Sequence, residues 1–263
     1  GKKLTHGLYS QRELAEEIVI VAIDDASIQS FENGGLGFFT SWPKGFFADV
    51  INNIRGAGSH SIFLDVVFTT PTQSVSFLEL GELANDSTTG DEFTEGILSY
   101  IGDVHPQDAL LAESLGADTF LLEYSGVQSL DIFLENSERG FSQVNPRGNE
   151  QAIYSVPILF EENQETLAPI IVRDFLYRNG SEAGYLTGDS YQFDEQREIP
   201  LIDEQMIINY SAKSYSYPMV SFVDVYKNRV DSAFFEDKIV LIGATSPLLQ
   251  DRHFTPIDAN VEM

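Results

Sequence analysis

The chain has 263 residues, long enough to bury a real core without disulfide staples. Lys and Arg number 15 against 41 Asp and Glu, a formal charge of −26, so a phosphate backbone and an anionic membrane surface are both repelled, while cations are attracted. Hydrophobic residues at 43% and aromatics at 12% exclude a disordered chain, and the absence of cysteine removes disulfides, thiolate catalysis and cysteine–zinc sites together.

Ile18-Val19-Ile20-Val21-Ala22-Ile23 is a continuous β-branched run ending in Asp24-Asp25. A strand apolar on both faces is what a buried parallel sheet requires. No apolar run approaches the roughly 20 residues that span a bilayer. A polar, glycine-rich loop, Asn33-Gly34-Gly35-Leu36-Gly37, follows. It stands too far beyond the first strand to be a dinucleotide fingerprint. Ser41-Trp42-Pro43 opens a helix with Pro43 at the first helical position. Phe46, Phe47, Val50, Ile51 and Ile54 recur at helical spacing, and Gly56-Ala57-Gly58 stops it. A second apolar strand, Ser61 to Phe68, completes a right-handed βαβ unit.

Beyond Pro71 the character changes. No Lys or Arg occurs between Arg55 and Arg139, and Glu79 to Glu95 is rich in carboxylates. Within an otherwise acidic surface excursion, Phe93, Ile97, Leu98 and Ile101 mark one face of a short helix. Residues 74–104 are therefore read as an insertion, mobile because burying unpaired carboxylates is costly. Asp108 to Gly116 predicts a helix and Thr119 to Tyr124 a third strand. Ile153 to Leu159 reads as a strand that Pro157 confines to an edge. Leu167, Ile170, Ile171 and Phe175 predict a helix closed by Asn179-Gly180, Asp189 to Glu204 a hairpin or loop, and Met206 to Tyr210 a strand. Ser221 with Asp224 has capping-box spacing before a helix from Phe222 to Lys227. Lys238 to Ala244 is the last buried strand. The pattern predicts a single α/β domain over 1–263, with a mostly parallel central sheet flanked by helices and an acidic insertion.

In open α/β sheets ligands bind beyond the carboxyl ends of the strands. Asp24 and Asp25, then Asp65, then Thr245 stand at such ends, and Asp251 to Pro256 follows the last strand. If these strands are neighbours, Asp24, Asp65 and Asp251 converge on one crevice, and crowded carboxylates call for a cation or hydrogen-bond donors. The competing reading is that Asp24 and Asp65 cap helices or bond backbone amides at strand ends. The candidate ligand-binding residues are Asp24, Asp25, Ser27, Trp42, Asp65, Thr245, Asp251 and Thr255. Trp42, the only tryptophan, is equally a helix-start core residue. His6, His60, His105 and His253 include no pair at metal-ligand spacing, and no nucleophile or phosphate-loop motif is present. No resident cofactor is expected, beyond weak binding of Ca2+ or Mg2+ by Asp24, Asp65 and Asp251. A metal-dependent hydrolase using these three aspartates is the alternative function.

Ile20 to Ser27, Trp42-Pro43 and Phe63 to Phe68 resemble the opening of the CHASE sensor domains, type two (cyclase- and histidine-kinase-associated sensory extracellular). Ile207 to Tyr210, Ser221 to Val225, Lys238 to Thr245 and Asp251 to Pro256 continue the resemblance, in order, across nearly the whole chain. Two departures stand out. Glu79 to Asp103 exceeds the family pattern, and Arg147-Gly148-Asn149-Glu150 stands where the family often continues into Asp-Gly-Val-x-Arg.

The resemblance implies a non-enzymatic, periplasmic or extracellular sensory domain, tethered between membrane helices. The cytoplasmic output would be an adenylate or diguanylate cyclase, a histidine kinase or a Ser/Thr kinase. It also implies that this chain is a fragment of a longer membrane protein, that the domain works as a homodimer, and that it senses an unknown small ligand or cation without nucleic-acid contact.

Overall fold

The structure is a computed structural model that describes residues 15–72, 104–124, 126–142, 153–160, 164–177, 184–193, 195–208 and 216–249, with short stretches at 85, 89–92 and 94–95. The elements in chain order begin with β1 (Ile18–Ile23), α1 (Asp25–Ile28), α2 (Lys44–Gly56), β2 (Ser61–Leu64), α3 (Pro106–Ser114), β3 (Thr119–Glu123), α4 (Asp131–Leu134) and β4 (Glu138–Phe141). They continue with β5 (Ser155–Pro157), β6 (Leu159–Phe160), β7 (Gln164–Glu165), α5 (Leu167–Tyr177), β8 (Tyr185–Thr187), β9 (Ser190–Gln192), β10 (Glu198–Ile202) and β11 (Gln205–Ile207). The last are β12 (Met219–Ser221), α6 (Phe222–Tyr226) and β13 (Ile239–Ala244).

The centre is an all-parallel six-stranded sheet in the order β12-β1-β13-β2-β3-β4. Alternation along the strands divides its side chains between two helical layers. On one face Val19, Val21 and Ile23 of β1, Ile62 and Leu64 of β2, and Val240 and Ile242 of β13 meet Phe47, Val50, Ile51 and Ile54 of α2. Leu111 of α3, Phe133 of α4 and Phe222 of α6 join the same cluster. On the other face Phe63, Phe120, Leu122 and Ile239 pack against Ile170 of α5. There the Phe63 and Phe120 rings stack at 4.4 Å. A doubly covered sheet explains the unbroken apolar runs.

The expected single α/β domain with a mostly parallel, helix-flanked sheet is therefore present, with four differences of detail. β2 ends at Leu64 and not Phe68, because Asp65 leaves the ladder after its amide donates to the Ile242 carbonyl at 2.8 Å. The βαβ crossover through α2 skips a position, which β13 fills. Pro43 is the N-cap of α2, with ψ of 140°, and not its first turn. Ser221 precedes α6 without closing a capping box, since its hydroxyl is drawn to Asp24.

A five-stranded antiparallel sheet, β5-β11-β10-β9-β8, was not expected beyond the Asp189–Glu204 hairpin. It holds its own small cluster of Ile158, Tyr191 and Leu201. Pro157 lies on its edge strand β5, where a missing N–H costs no ladder bond. The proposed insertion lies outside the described residues apart from the short exposed stretches at 85, 89–92 and 94–95 and its last residue, Val104.

The Asn33–Gly37 loop folds back onto α1. Gly35 N donates to Ser30 O at 3.1 Å, Leu36 N to Ser27 O at 2.8 Å and Gly37 N to Gln29 O at 2.7 Å. Gly34 and Gly37 have φ of 86° and 81°, the left-handed region open to glycine. At Gly35 the need is spatial, because a Cβ there would overlap the Gln29 backbone carbonyl. Gly35→Ala is therefore expected to lower unfolding free energy by about 1–3 kcal/mol, as overpacking against backbone does. Urea unfolding checks this; an unchanged midpoint would show that the loop yields freely.

Candidate functional site

Because the six strands are parallel, their carboxyl ends share one edge of the sheet. Asp24 follows β1 there, and its Oδ1 accepts from Ser27 N at 2.9 Å, Ser27 Oγ at 2.7 Å and Ser221 Oγ at 2.7 Å. Ser27 is fully buried, and its Oγ in turn accepts from Val223 N at 3.2 Å. Asp24 thus caps α1 and fastens it to the β12–α6 junction. Asp25 accepts a hydrogen bond from Ser246 Oγ. Thr245 N and Ser246 N both donate to Ile23 O, at 3.1 and 3.2 Å, which seats the β13 exit beside the β1 exit.

Asp65 follows β2 and accepts from the Tyr124 hydroxyl at 2.5 Å. β13 separates it from β1, so the strand ends carrying Asp24 and Asp65 are about 10 Å apart at ordinary strand spacing. Their hydrogen bonds run in opposite directions, Asp24 toward β12 and Asp65 toward β3. Asp251 and Thr255 lie outside the described residues, as does His253. Among the described residues no group of three His, Asp or Glu side chains is arranged to hold a metal ion.

Trp42 is 8% exposed and belongs to the core. Its ring lies 5.0 Å from Phe222, 5.2 Å from Phe39 and 6.0 Å from Phe47, and Nε1 donates to Gly37 O at 2.9 Å. It also borders a groove of about 360 Å3 between the approach to α2 and the segment that leaves β2, Val66–Thr72.

One wall of this groove is a polar network that has no local sequence signature. Lys44, the first residue of α2, donates to Asp108 Oδ1 at 2.7 Å, to Thr72 Oγ1 at 2.9 Å and to Thr70 O at 2.9 Å. Asp108 also accepts from Thr72 Oγ1 at 2.6 Å and, through Oδ2, from Thr72 N at 2.9 Å. Asp108 is 3% exposed. Burial pushes its carboxyl up, but the hydrogen bonds from Lys44 and Thr72 outweigh that and hold it below the usual carboxylate range. A second, partly exposed pair lies lower on α2. Arg55 meets both oxygens of Asp118 at 2.7 and 2.6 Å, and after the opposing push of burial Asp118 is likewise held low.

The signal that could have found both pairs is scarcity. Lys44 and Arg55 are the only Lys or Arg residues between Arg12 and Arg139. Cations so rare in an acidic chain are strong candidates for ion pairing.

Glu123, at the end of β3, is 3% exposed, and its Oε1 has no hydrogen-bond partner among the described residues. Burial pushes its carboxyl up, and the nearby Arg139 charge offsets this only in part. An acid raised in the folded state loses stability as pH rises from its unfolded value toward its folded one. Glu123→Gln, which keeps the shape and removes the charge, is therefore expected to raise the melting temperature at neutral pH and to make no difference below pH 4. A melting series against pH checks this; equal curves at all pH values would mean the carboxylate is solvated.

A central parallel sheet covered on both faces, with a groove beside the exit of a central strand, defines the class: a doubly covered α/β domain with a groove at the carboxyl edge of its sheet. The family comparison identifies it further. The CHASE2 domain model matches residues 3–263, essentially the whole chain, and the chain belongs to this family of extracellular sensory domains. No curated protein and no solved structure matches it. Among the described residues no helix is long and apolar enough to cross a membrane.

Proposed function

We propose that this chain is the extracytoplasmic input domain of a bacterial transmembrane receptor. It binds a small ligand or cation outside the membrane and shifts a two-state equilibrium that the membrane helices carry inward. The output module is an adenylate or diguanylate cyclase, a histidine kinase or a Ser/Thr kinase, and the domain itself performs no chemistry. The working unit is a homodimer held in register by the membrane helices, since −26 charges per chain oppose self-association of the domain alone. The match of the CHASE2 model across residues 3–263 is the observation that carries this reading. The engagement of Asp24 Oδ1 by Ser27 and Ser221 supports a structural role for that residue.

The test uses the complete gene product in its membrane. Protease added to intact spheroplasts should cleave within the domain, and cleavage only after lysis would place it inside and end the proposal. The purified chain should show no metal-dependent turnover of phosphate or acyl esters with Ca2+ or Mg2+. Turnover abolished by Asp24→Asn or Asp65→Asn would put a hydrolase in its place.

A further inference from the structure

We infer that the groove beside α2 is the ligand site, and that its ligand is an uncharged, polyhydroxylated molecule of monosaccharide size. The inference rests on the sensory reading above and adds a place and a chemical class. The volume, about 360 Å3, falls within the roughly 300–1,000 Å3 of small-molecule sites. The position agrees, because the Val66–Thr72 wall leaves the carboxyl end of β2, where open α/β sheets take their ligands.

The chemistry of the lining selects the class by elimination. Among the described residues Lys44 is the only cation lining the groove, and its ammonium has three N–H bonds. Thr70 O, Thr72 Oγ1 and Asp108 Oδ1 take all three, so none remains for a phosphate or carboxylate. The surplus of 41 acidic over 15 basic residues further opposes an anion. A cationic ligand fares no better. Among the described residues no carboxylate lines the groove, and Asp108 behind Lys44 is 3% exposed, neutralised by Lys44 and filled by Thr72.

The groups left open are hydroxyls. Thr40, Thr69 and Thr70 are exposed on the groove, and their side chains make no hydrogen bond among the described residues. Ser41 Oγ donates to Phe38 O at 2.7 Å and keeps its acceptor lone pairs. A hydroxyl both donates and accepts, so a row of them matches a ligand whose own groups do the same. Phe39, Phe47 and Phe68 also line the groove and supply apolar surface for the C–H groups of a sugar ring.

The inference supplies its own reporter. Trp42 is the only tryptophan and borders the groove, so its fluorescence responds to occupancy. The experiment titrates the 263-residue chain with D-glucose, D-galactose, D-ribose and myo-inositol, and in parallel with glucose 6-phosphate, glucuronate and glucosamine. At least one neutral probe should give a saturable change in Trp42 emission. Thr40→Val/Thr70→Val, two exposed changes that spare the core, should weaken its affinity by about tenfold, the loss of one to two good hydrogen bonds. The charged analogues should bind more weakly than their neutral parent. Amide chemical-shift mapping should place the effect on residues 39–44 and 66–72.

The inference is overturned if none of the four neutral probes binds into the tens of millimolar, if a charged analogue binds tighter than its parent, or if binding survives the double variant unchanged. The sensory reading is decided by protease access in spheroplasts and not by this titration, so the two fail separately.

Discussion

Replacing Lys44 by methionine is expected to destabilise the fold by about 3–5 kcal/mol, the usual cost of leaving one member of a buried ion pair alone. The partner left behind is Asp108, 3% exposed, with its Oδ1 deprived of an ammonium 2.7 Å away. Asp108→Asn should cost less, because an amide still accepts from Thr72 N and only the charge is removed. The double variant Lys44→Met/Asp108→Leu should recover part of the loss but not all. Two apolar groups can replace a buried pair, yet Thr72 N would lose the acceptor now 2.9 Å away. Guanidinium unfolding at constant slope reads the difference. A single-variant loss under about 1 kcal/mol would place the pair with ordinary surface ion pairs.

The same network sets an acid limit. Asp108 is held below the usual carboxylate range despite burial, and so is Asp118. A depressed folded value means the stabilisation is fully present above the unfolded value, roughly 3.9, and is lost as pH falls through the folded one. Stability should therefore decline from about pH 5 downward, and Asp108→Asn should flatten part of that decline. Glu123 is shifted the other way and acts over a higher interval, from its raised folded value down to its unfolded one, where falling pH adds stability before the aspartates begin to lose theirs.

The second large effect belongs to the aromatic cluster. Phe222→Ala is expected to cost about 3–5 kcal/mol, the range for a fully buried phenylalanine. Phe222 is 0% exposed and its ring lies 5.0 Å from Trp42 and 5.2 Å from Phe47. Its loss opens a cavity against the only tryptophan, so the native emission should shift to the red even where the protein remains folded. Phe31→Ala, at a ring 68% exposed, should leave both stability and emission unchanged. A Phe222→Ala variant with native emission and midpoint would mean that α6 is not seated on α2 as described.

What sequence could determine here is whatever local pattern encodes. β1 and β13 are legible because Ile18–Ile23 and Ile239–Ala244 must be apolar on both faces, and α2 because Phe47, Val50, Ile51 and Ile54 return every three or four residues. The placement of Asp24, Asp25, Asp65 and Thr245 at the carboxyl edge followed from those strands being parallel. The strand order did not follow, since β13 pairs between β1 and β2 although about 180 residues separate it from β2 in the chain.

The partners of the site residues were equally out of reach. Asp24 bonds Ser221 across 197 positions, Lys44 bonds Asp108 across 64, and Asp65 meets Tyr124 across 59. A carboxylate at a strand end has the same sequence appearance whether it caps a helix, pairs with lysine or waits for a ligand. Only the tertiary structure decides which donor comes within 3 Å of it. Local hydrophobic period is a property of neighbouring residues, whereas hydrogen-bond satisfaction is a property of the packed whole. The fold could therefore be read along the chain, while the groove beside α2 and the Lys44–Asp108 wall that neutralises its charge emerged only when distant segments closed around them.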